Sequence, residues 1–187
     1  MKLSNLFFII TILTITSCNT VKNGKSSSPV DDDKTIFHSK FVLKDTNHVA
    51  LFVSEEFVPD ALNNYTIAKI NKNFLSLLNC SKEPITNKYN TSIIDTIYTF
   101  SNSKNKIQFY RSKQKDFIVT FDVTDEKFNL TGNIKPGMTK DIFSRKFQIT
   151  EAINNKVQVS NSEGTMRFMF YFENNSLKRI NTYLYLD

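Results

Sequence analysis

The sequence predicts an α+β fold in which two tandem repeats, each a helix followed by an antiparallel meander, form one sheet with the helices on one face. Three observations predict this architecture. Two stretches, 66–79 and 139–147, place apolar residues at helical spacing, and alternating strand-like runs follow each of them. Two short segments of the first half also match segments of the second half in the same order.

The N-terminus is typical of an exported protein. Lys2 precedes an apolar run at 6–15 that is shorter than the roughly 20 residues a membrane span needs, so residues 1–17 are predicted to be a signal peptide. The small residues before Cys18 resemble the looser lipobox of Bacteroidota lipoproteins, which implies that the signal is removed there and that Cys18 is lipidated. An ordinary signal peptide with a chance cysteine is the alternative.

The segment 18–35 is predicted to be a flexible tether, because it contains Gly, Ser, Pro and charged residues and almost nothing apolar. By resemblance to lipoprotein sorting rules, Asn19 directly after Cys18 implies the outer membrane. The aspartates at 31–33 loosely resemble acidic surface-export signals, but they begin well after the cysteine. We therefore expect the lipid to hold the protein in the periplasmic leaflet rather than at the cell surface.

The first folded segment, 36–58, is predicted to be a hairpin around a polar turn at 44–47. Its alternating apolar residues are Phe41, Leu43, Val49, Leu51 and Val53. The first repeat, 59–134, is then expected to begin with the helix at 66–79. After a polar loop around 82–92, strands are predicted at 93–100, 106–111, 117–123 and 128–134.

The second repeat, 135–187, is predicted to open with a sharp turn from strand to helix. Gly137 follows a proline and is expected to take a positive φ, which glycine adopts at little cost. Thr139 is the predicted N-cap of the next helix, and Phe143 and Phe147 belong to its apolar stripe. The strands of this repeat follow at the C-terminus.

The two repeats are aligned through two independent matches. Residues 63–66 match 136–139, which places Asn64 opposite Gly137 as a second candidate for a positive φ. Downstream, residues 100–109 match residues 159–168. Each segment contains a Ser-Asn-Ser turn followed by the start of a predicted strand. Chance recurrence of short strings in an asparagine-rich chain is the alternative interpretation.

The string "IKPGMTKDIFSRKF" at 134–147 and the final "MRFMFYFENNSLKRINTYLYLD" at 166–187 resemble the SmpA/OmlA and β-lactamase-inhibitor-protein group of exported domains. The resemblance covers the second repeat, and the first repeat only in pattern. It implies an α+β domain that acts by binding another protein, either as an inhibitor or as a component of outer-membrane assembly.

The sequence predicts a protein that is not an enzyme and that needs no cofactor or metal. His38 and His48 flank the first hairpin turn without a cysteine or paired acid to complete a site, and no phosphate loop or nucleophile elbow is present. Cys80 has no partner for a disulfide once Cys18 is lipidated, so we expect a buried thiol at the end of a helix. The net charge of +6 comes from scattered lysines, which argues against nucleic acid as a partner.

One face of the sheet is predicted to bind protein. Alternation in 166–173 puts Arg167, Met169 and Tyr171 opposite phenylalanines that belong to the core. Tyr, Met and Arg are enriched at protein interfaces. The full predicted set is Gln108, Tyr110, Arg167, Met169, Tyr171, Tyr183 and Tyr185. Coverage of this face by the N-terminal hairpin or by the inserted loop is the alternative.

Two functions are therefore expected from the sequence. The first is a lipid-anchored protein-binding module of unknown target, with inhibition as one mode of action that the resemblance implies. The alternative is a structural or assembly lipoprotein of the outer membrane resembling SmpA/OmlA. In both cases the expected partner is another exported or outer-membrane protein.

Overall fold

A computed structural model describes residues 35–44, 49–113 and 115–184. They form nine strands and two short helices. The helices are α1 (Ile67–Phe74) and α2 (Lys140–Lys146). The strands are β1 (Lys40–Lys44), β2 (Val49–Val53), β3 (Asn79–Thr86), β4 (Ile94–Ser101), β5 (Lys106–Arg111), β6 (Asp116–Val123), β7 (Lys156–Ser160), β8 (Met166–Glu173) and β9 (Ser176–Leu184).

All nine strands belong to one mixed sheet in the order β1-β2-β7-β8-β9-β6-β5-β4-β3. The pair β2–β7 is parallel and the other neighbours are antiparallel. In the middle of the sheet β6 and β9 pair through only two residue pairs, Asp122–Asn181 and Val123–Ile180. The fold is therefore mostly β, and the α+β class fits it in a loose sense.

Both helices begin at a threonine that caps them. The Thr66 hydroxyl accepts a hydrogen bond from the Lys69 amide at 3.2 Å, and the Thr139 hydroxyl accepts one from the Ile142 amide at 3.3 Å. Each bond satisfies one of the amides that a helix N-terminus leaves unpaired. The sequence prediction of Thr139 as an N-cap is confirmed.

Both helices pack on the same face of the sheet. The Phe143 ring of α2 lies 4.8 Å from that of Phe170 in β8, and Tyr65, just before α1, lies 4.9 Å from Phe121 in β6. Phe57, in the turns that follow β2, is fully buried between the two layers. The apolar core therefore occupies one side of the sheet.

Gly137 takes φ +92° in a turn closed by the Met138 amide donating to the Lys135 carbonyl at 3.2 Å. The predicted positive φ is confirmed, because proline at the second and glycine at the third position suit this turn. The matching prediction for Asn64 is wrong, since Asn64 takes no positive φ.

Three other predictions of local structure are wrong. The first helix was expected to reach residue 79 but ends at Phe74. The edge strand β3 begins at Asn79. The expected loop at 82–92 begins inside that strand, β3. The expected strand at 128–134 contains a 3-10 turn, Thr131–Asn133, because Gly132 and Asn133 take positive φ values and interrupt the extended backbone.

Candidate protein-binding face

The face of the sheet opposite the helices, here called the outer face, carries the candidate site. On the central strands β8, β9, β6 and β5, its side chains are half-buried or exposed throughout the described part of the chain. They are Arg167, Met169, Tyr171, Glu173, Arg179, Asn181, Phe117, Thr120, Asp122, Lys106, Gln108 and Tyr110.

The predicted interface residues fall into two groups on this face. Arg167, Met169 and Tyr171 lie on β8, alternating with buried phenylalanines, whereas Gln108 and Tyr110 lie on β5. Strands β9 and β6 separate the groups, so three spacings of about 4.8 Å place them roughly 14 Å apart. They therefore form two separate parts of the outer face.

The remaining predicted residues come from the end of the chain. The backbone of Tyr183 pairs with Arg167 in the β8–β9 ladder. The side chain of Tyr183, and the whole of Tyr185, lie outside the described residues. Cys18, the signal peptide 1–17 and all but the last residue of the tether 18–35 also lie outside them.

The part of the outer face around β8 combines apolar surface with two arginines. Met169 pairs with Gln158 of β7, which in turn pairs with Leu51 of β2. The guanidinium of Arg179 lies 5.7 Å from the ring centre of Tyr171. We call the set Leu51, Gln158, Arg167, Met169 and Tyr171 the β8 patch.

Neighbouring contacts hold this patch in place. Arg179 donates from Nε and Nη2 to the two carboxylate oxygens of Asp122 on β6, at 2.6 and 2.5 Å. This bidentate geometry fixes the plane of the guanidinium. Arg167 donates from Nε to the Gly164 carbonyl at 3.0 Å. Contacts within the chain thus position Arg167 and Tyr171 of the β8 patch.

The part of the outer face around β5 is occupied by the protein's own hydrogen bonds. Gln108 donates to the Thr99 hydroxyl at 2.9 Å and accepts from the Thr120 hydroxyl at 3.0 Å. The Tyr110 hydroxyl donates to the Asp95 carboxylate, which also accepts from the Asn87 amide at 2.6 Å. The polar groups of Gln108 and Tyr110 are therefore engaged in hydrogen bonds within the sheet.

The bonds to Asp95 shift the acidity of both groups. The hydrogen bond from Tyr110, and after it the one from Asn87, lowers the pKa of the Asp95 carboxyl below its ordinary value. The same bond raises the pKa of the Tyr110 hydroxyl. Asp95 is 3% exposed, so the ionised carboxylate depends on these two donors. The cluster fixes the edge of the sheet where β4 meets β5.

A pH-dependent contribution to stability follows from Asp95. Its folded pKa lies below its ordinary value of 3.8, so this contribution is present above that pH and is lost as the pH falls through the folded pKa. We expect Tyr110→Phe to lose less stability than the parent between neutral pH and about pH 3. Urea unfolding at a series of pH values measures this. Tyr89→Phe, in an exposed loop, is the control, and an identical acid dependence in all three proteins would contradict the assignment.

Sequence reasoning missed the partners Asp95, Thr99 and Thr120. Their only signal in the sequence is the polar residue type at one face of β4 and β6, which Ile97 interrupts between Asp95 and Thr99. Which of them meets Gln108 or Tyr110 depends on the strand register, and β5–β6 carries a register shift between Gln108 and Phe109. Alternation alone does not fix that register.

The N-terminal hairpin and the inserted loop, the two segments that the sequence analysis named as alternative covers of the outer face, belong to the edges of the sheet. β1 and β2 extend it beyond β7, and β3 extends it beyond β4.

Cys80 lies in β3 and is exposed, so the prediction of a buried thiol is wrong. The reason is that every side chain of this edge strand is exposed.

The histidines and acids make no cluster for a metal within the described residues, which hold no group of three His, Cys, Asp or Glu side chains. His38 is exposed, and its Nδ1 lies 2.8 Å from a carboxylate oxygen of Glu56. His48 lies outside the described residues. No helix in the described part of the chain is long and apolar enough to cross a membrane.

Comparison with known proteins gives no relative from which a role could be transferred. The chain matches no family model, no curated protein and no solved structure. The candidate site therefore rests on the geometry of the outer face.

Proposed function

We propose that this protein is a lipid-anchored, protein-binding module of the bacterial cell envelope. It holds or inhibits another exported protein through the β8 patch. The observation that carries this proposal is the composition of the β8 patch. Met169, Tyr171 and Arg167 stand together there on one half-buried to exposed sheet surface.

The chemistry of the β8 patch suits a folded protein partner. Tyr and Arg dominate the energetics of protein interfaces, and Met adapts its shape to a contacting surface. Arg179 and Asp122 keep Tyr171 in place, so little side-chain entropy remains to be lost on binding. We expect the partner to present an apolar patch to Met169 and Tyr171, and a carboxylate to Arg167.

The membrane attachment belongs to the same proposal. The lipobox-like segment ending at Cys18 supports acylation, and Asn19 supports the outer membrane as the destination. The polar segment 18–35 would then let the folded part reach a partner near the periplasmic leaflet.

The tandem repeat is the architectural part of the proposal. Helix α1 precedes the meander β3–β6 and α2 precedes β7–β9, so β6 and β9, the last strand of each meander, would meet at the centre of the sheet. Two features support the repeat. Both helices carry a threonine cap, and Asn102 and Asn161 accept backbone hydrogen bonds in the turns that precede β5 and β8.

The test is a double substitution in the β8 patch. Met169→Ala with Tyr171→Ala should weaken binding of the partner about 30-fold or more, because a central interface anchor is worth about 2 kcal/mol. Both side chains are half-buried, so unfolding stability should fall by no more than about 2 kcal/mol. The partner is first captured with the parent protein, and affinities are then measured with both purified proteins.

Tyr89→Ala is the matched control, because Tyr89 is 76% exposed in the loop after β3. It should bind the partner as the parent does. Equal binding by the double variant and this control would reject the β8 patch. A loss of folding in the double variant would show instead that these two side chains belong to the core.

A further inference from the structure

A polar cleft opens where the central strands stop pairing. The β6–β9 ladder ends at Val123–Ile180, and the lining residues Thr124 and Arg179 follow directly beyond it, with Lys178 next to Arg179. The turn between β4 and β5, residues 102–105, completes the lining. The cleft has a volume of about 720 Å³. That volume lies within the range of ligand-binding clefts in proteins.

The charge in this cleft is mostly positive. It is lined by Lys104, Lys106, Lys178 and Arg179 against one acid, Asp122. Arg179 neutralises Asp122 through its bidentate pair. The three lysines are exposed and make no ion pair within the described part of the chain. Three uncompensated positive charges therefore surround one concave surface.

The floor of the cleft is held by two asparagines. The Asn102 side chain accepts from the amides of Lys104 and Asn105, both at 2.8 Å. Asn105 is 3% exposed, and its side-chain oxygen accepts from the Thr124 amide at 2.8 Å. These bonds tie the β4–β5 turn to the end of β6. These bonds therefore hold the backbone that carries Lys104 and Lys106.

We propose that this cleft binds a phosphate group, carried either by a small soluble molecule or by a lipid headgroup. Lysine ammonium groups bind phosphate as point charges, and three of them converge here from the β4–β5 turn, β5 and β9. The lining also holds the hydroxyl groups of Ser103 and Thr124, which are hydrogen-bond donors for the other oxygens of such a ligand. This site adjoins the β8 patch, because Arg179 lines the cleft and also lies over the ring of Tyr171, but the three lysines are not part of that patch.

The test uses the full chain and a triple variant, Lys104→Gln, Lys106→Gln and Lys178→Gln. Affinity is measured by calorimetry for inorganic phosphate and glucose 6-phosphate. Co-sedimentation compares phosphatidylcholine vesicles with and without phosphatidylglycerol, which separates headgroup binding from any effect of the lipid anchor. We expect the triple variant to bind about tenfold more weakly, because an exposed ion pair is typically worth about twofold in affinity and three such factors multiply.

The control is Lys69→Gln, Lys72→Gln and Lys88→Gln, which removes the same charge from exposed positions elsewhere. Binding of the soluble phosphates, weakened only in the cleft variant, would identify a small-molecule site. Selective binding of the anionic vesicles, weakened only in the cleft variant, would identify a headgroup site. No binding by the parent, or equal weakening in both triple variants, would overturn the proposal.

Discussion

Replacing Phe57 with alanine is expected to lower the free energy of unfolding by about 3–5 kcal/mol, the usual cost of deleting a buried phenylalanine ring. Phe57 is fully buried. Its ring centre lies 5.2 Å from that of Phe37, 5.0 Å from Phe147 and 5.3 Å from Phe168. It therefore joins the N-terminal segment, the end of α2 and the sheet in one aromatic cluster.

Urea unfolding measures this effect, with Phe117→Ala as the control. Phe117 is 37% exposed on the outer face, so its truncation should cost only about 1–2 kcal/mol. A cavity forms in the first variant and not in the second. Equal losses in the two variants would mean that Phe57 is not central to the core.

The second large effect is expected at Gly132. It takes φ +74° in the 3-10 turn after Leu130, and a Cβ built there would lie 2.6 Å from the ring of Phe37. Gly132→Ala combines backbone strain with a clash against a buried ring. Each contributes about 1–3 kcal/mol, so we expect stability to fall by about 2–4 kcal/mol or more.

Gly164 provides a control that separates the two causes. It takes φ +68°, but the nearest atom to a Cβ there is a side-chain nitrogen of Arg167 at 3.5 Å. Gly164→Ala therefore has the strain without the clash. Gly132→Ala should be the more destabilising by about 1–3 kcal/mol in urea unfolding. Similar losses at both positions would show that Phe37 moves aside without cost.

The features that sequence predicted well are those with local causes. The helix N-cap at Thr139 and the turn at Gly137 follow from the chemistry of one or two residues. The alternation in β8 identified both its core side and its outer side, because side chains of a strand point to opposite faces by geometry.

The features that sequence missed depend on distant partners. β3 has no buried face, and Pro84 within it is tolerated because the strand lies at the edge of the sheet. Alternation therefore gave no signal for it. The roles of Phe57 and Gly132 arise from contacts with Phe37, far away in the chain. No local pattern encodes those contacts.

The candidate site shows the same division. Arg167, Met169 and Tyr171 were placed on one face by their spacing alone. Gln108 forms hydrogen bonds with Thr99 and Thr120, and Tyr110 forms one with Asp95. These pairings depend on how β4, β5 and β6 align. Register between strands is set by the whole sheet, so the sequence did not predict these internal hydrogen bonds.

The claim that the outer face binds another envelope protein is tested most directly by site-specific photocrosslinking in the native membrane. A photoreactive side chain replaces Met169 on the outer face in one variant. In a second variant it replaces Lys72, an exposed residue of α1 on the opposite side of the sheet. We expect position 169 to crosslink to a discrete protein, and Tyr171→Ala in the same chain to abolish that product. Crosslinking from position 72 alone, or equally from both positions, would contradict the account.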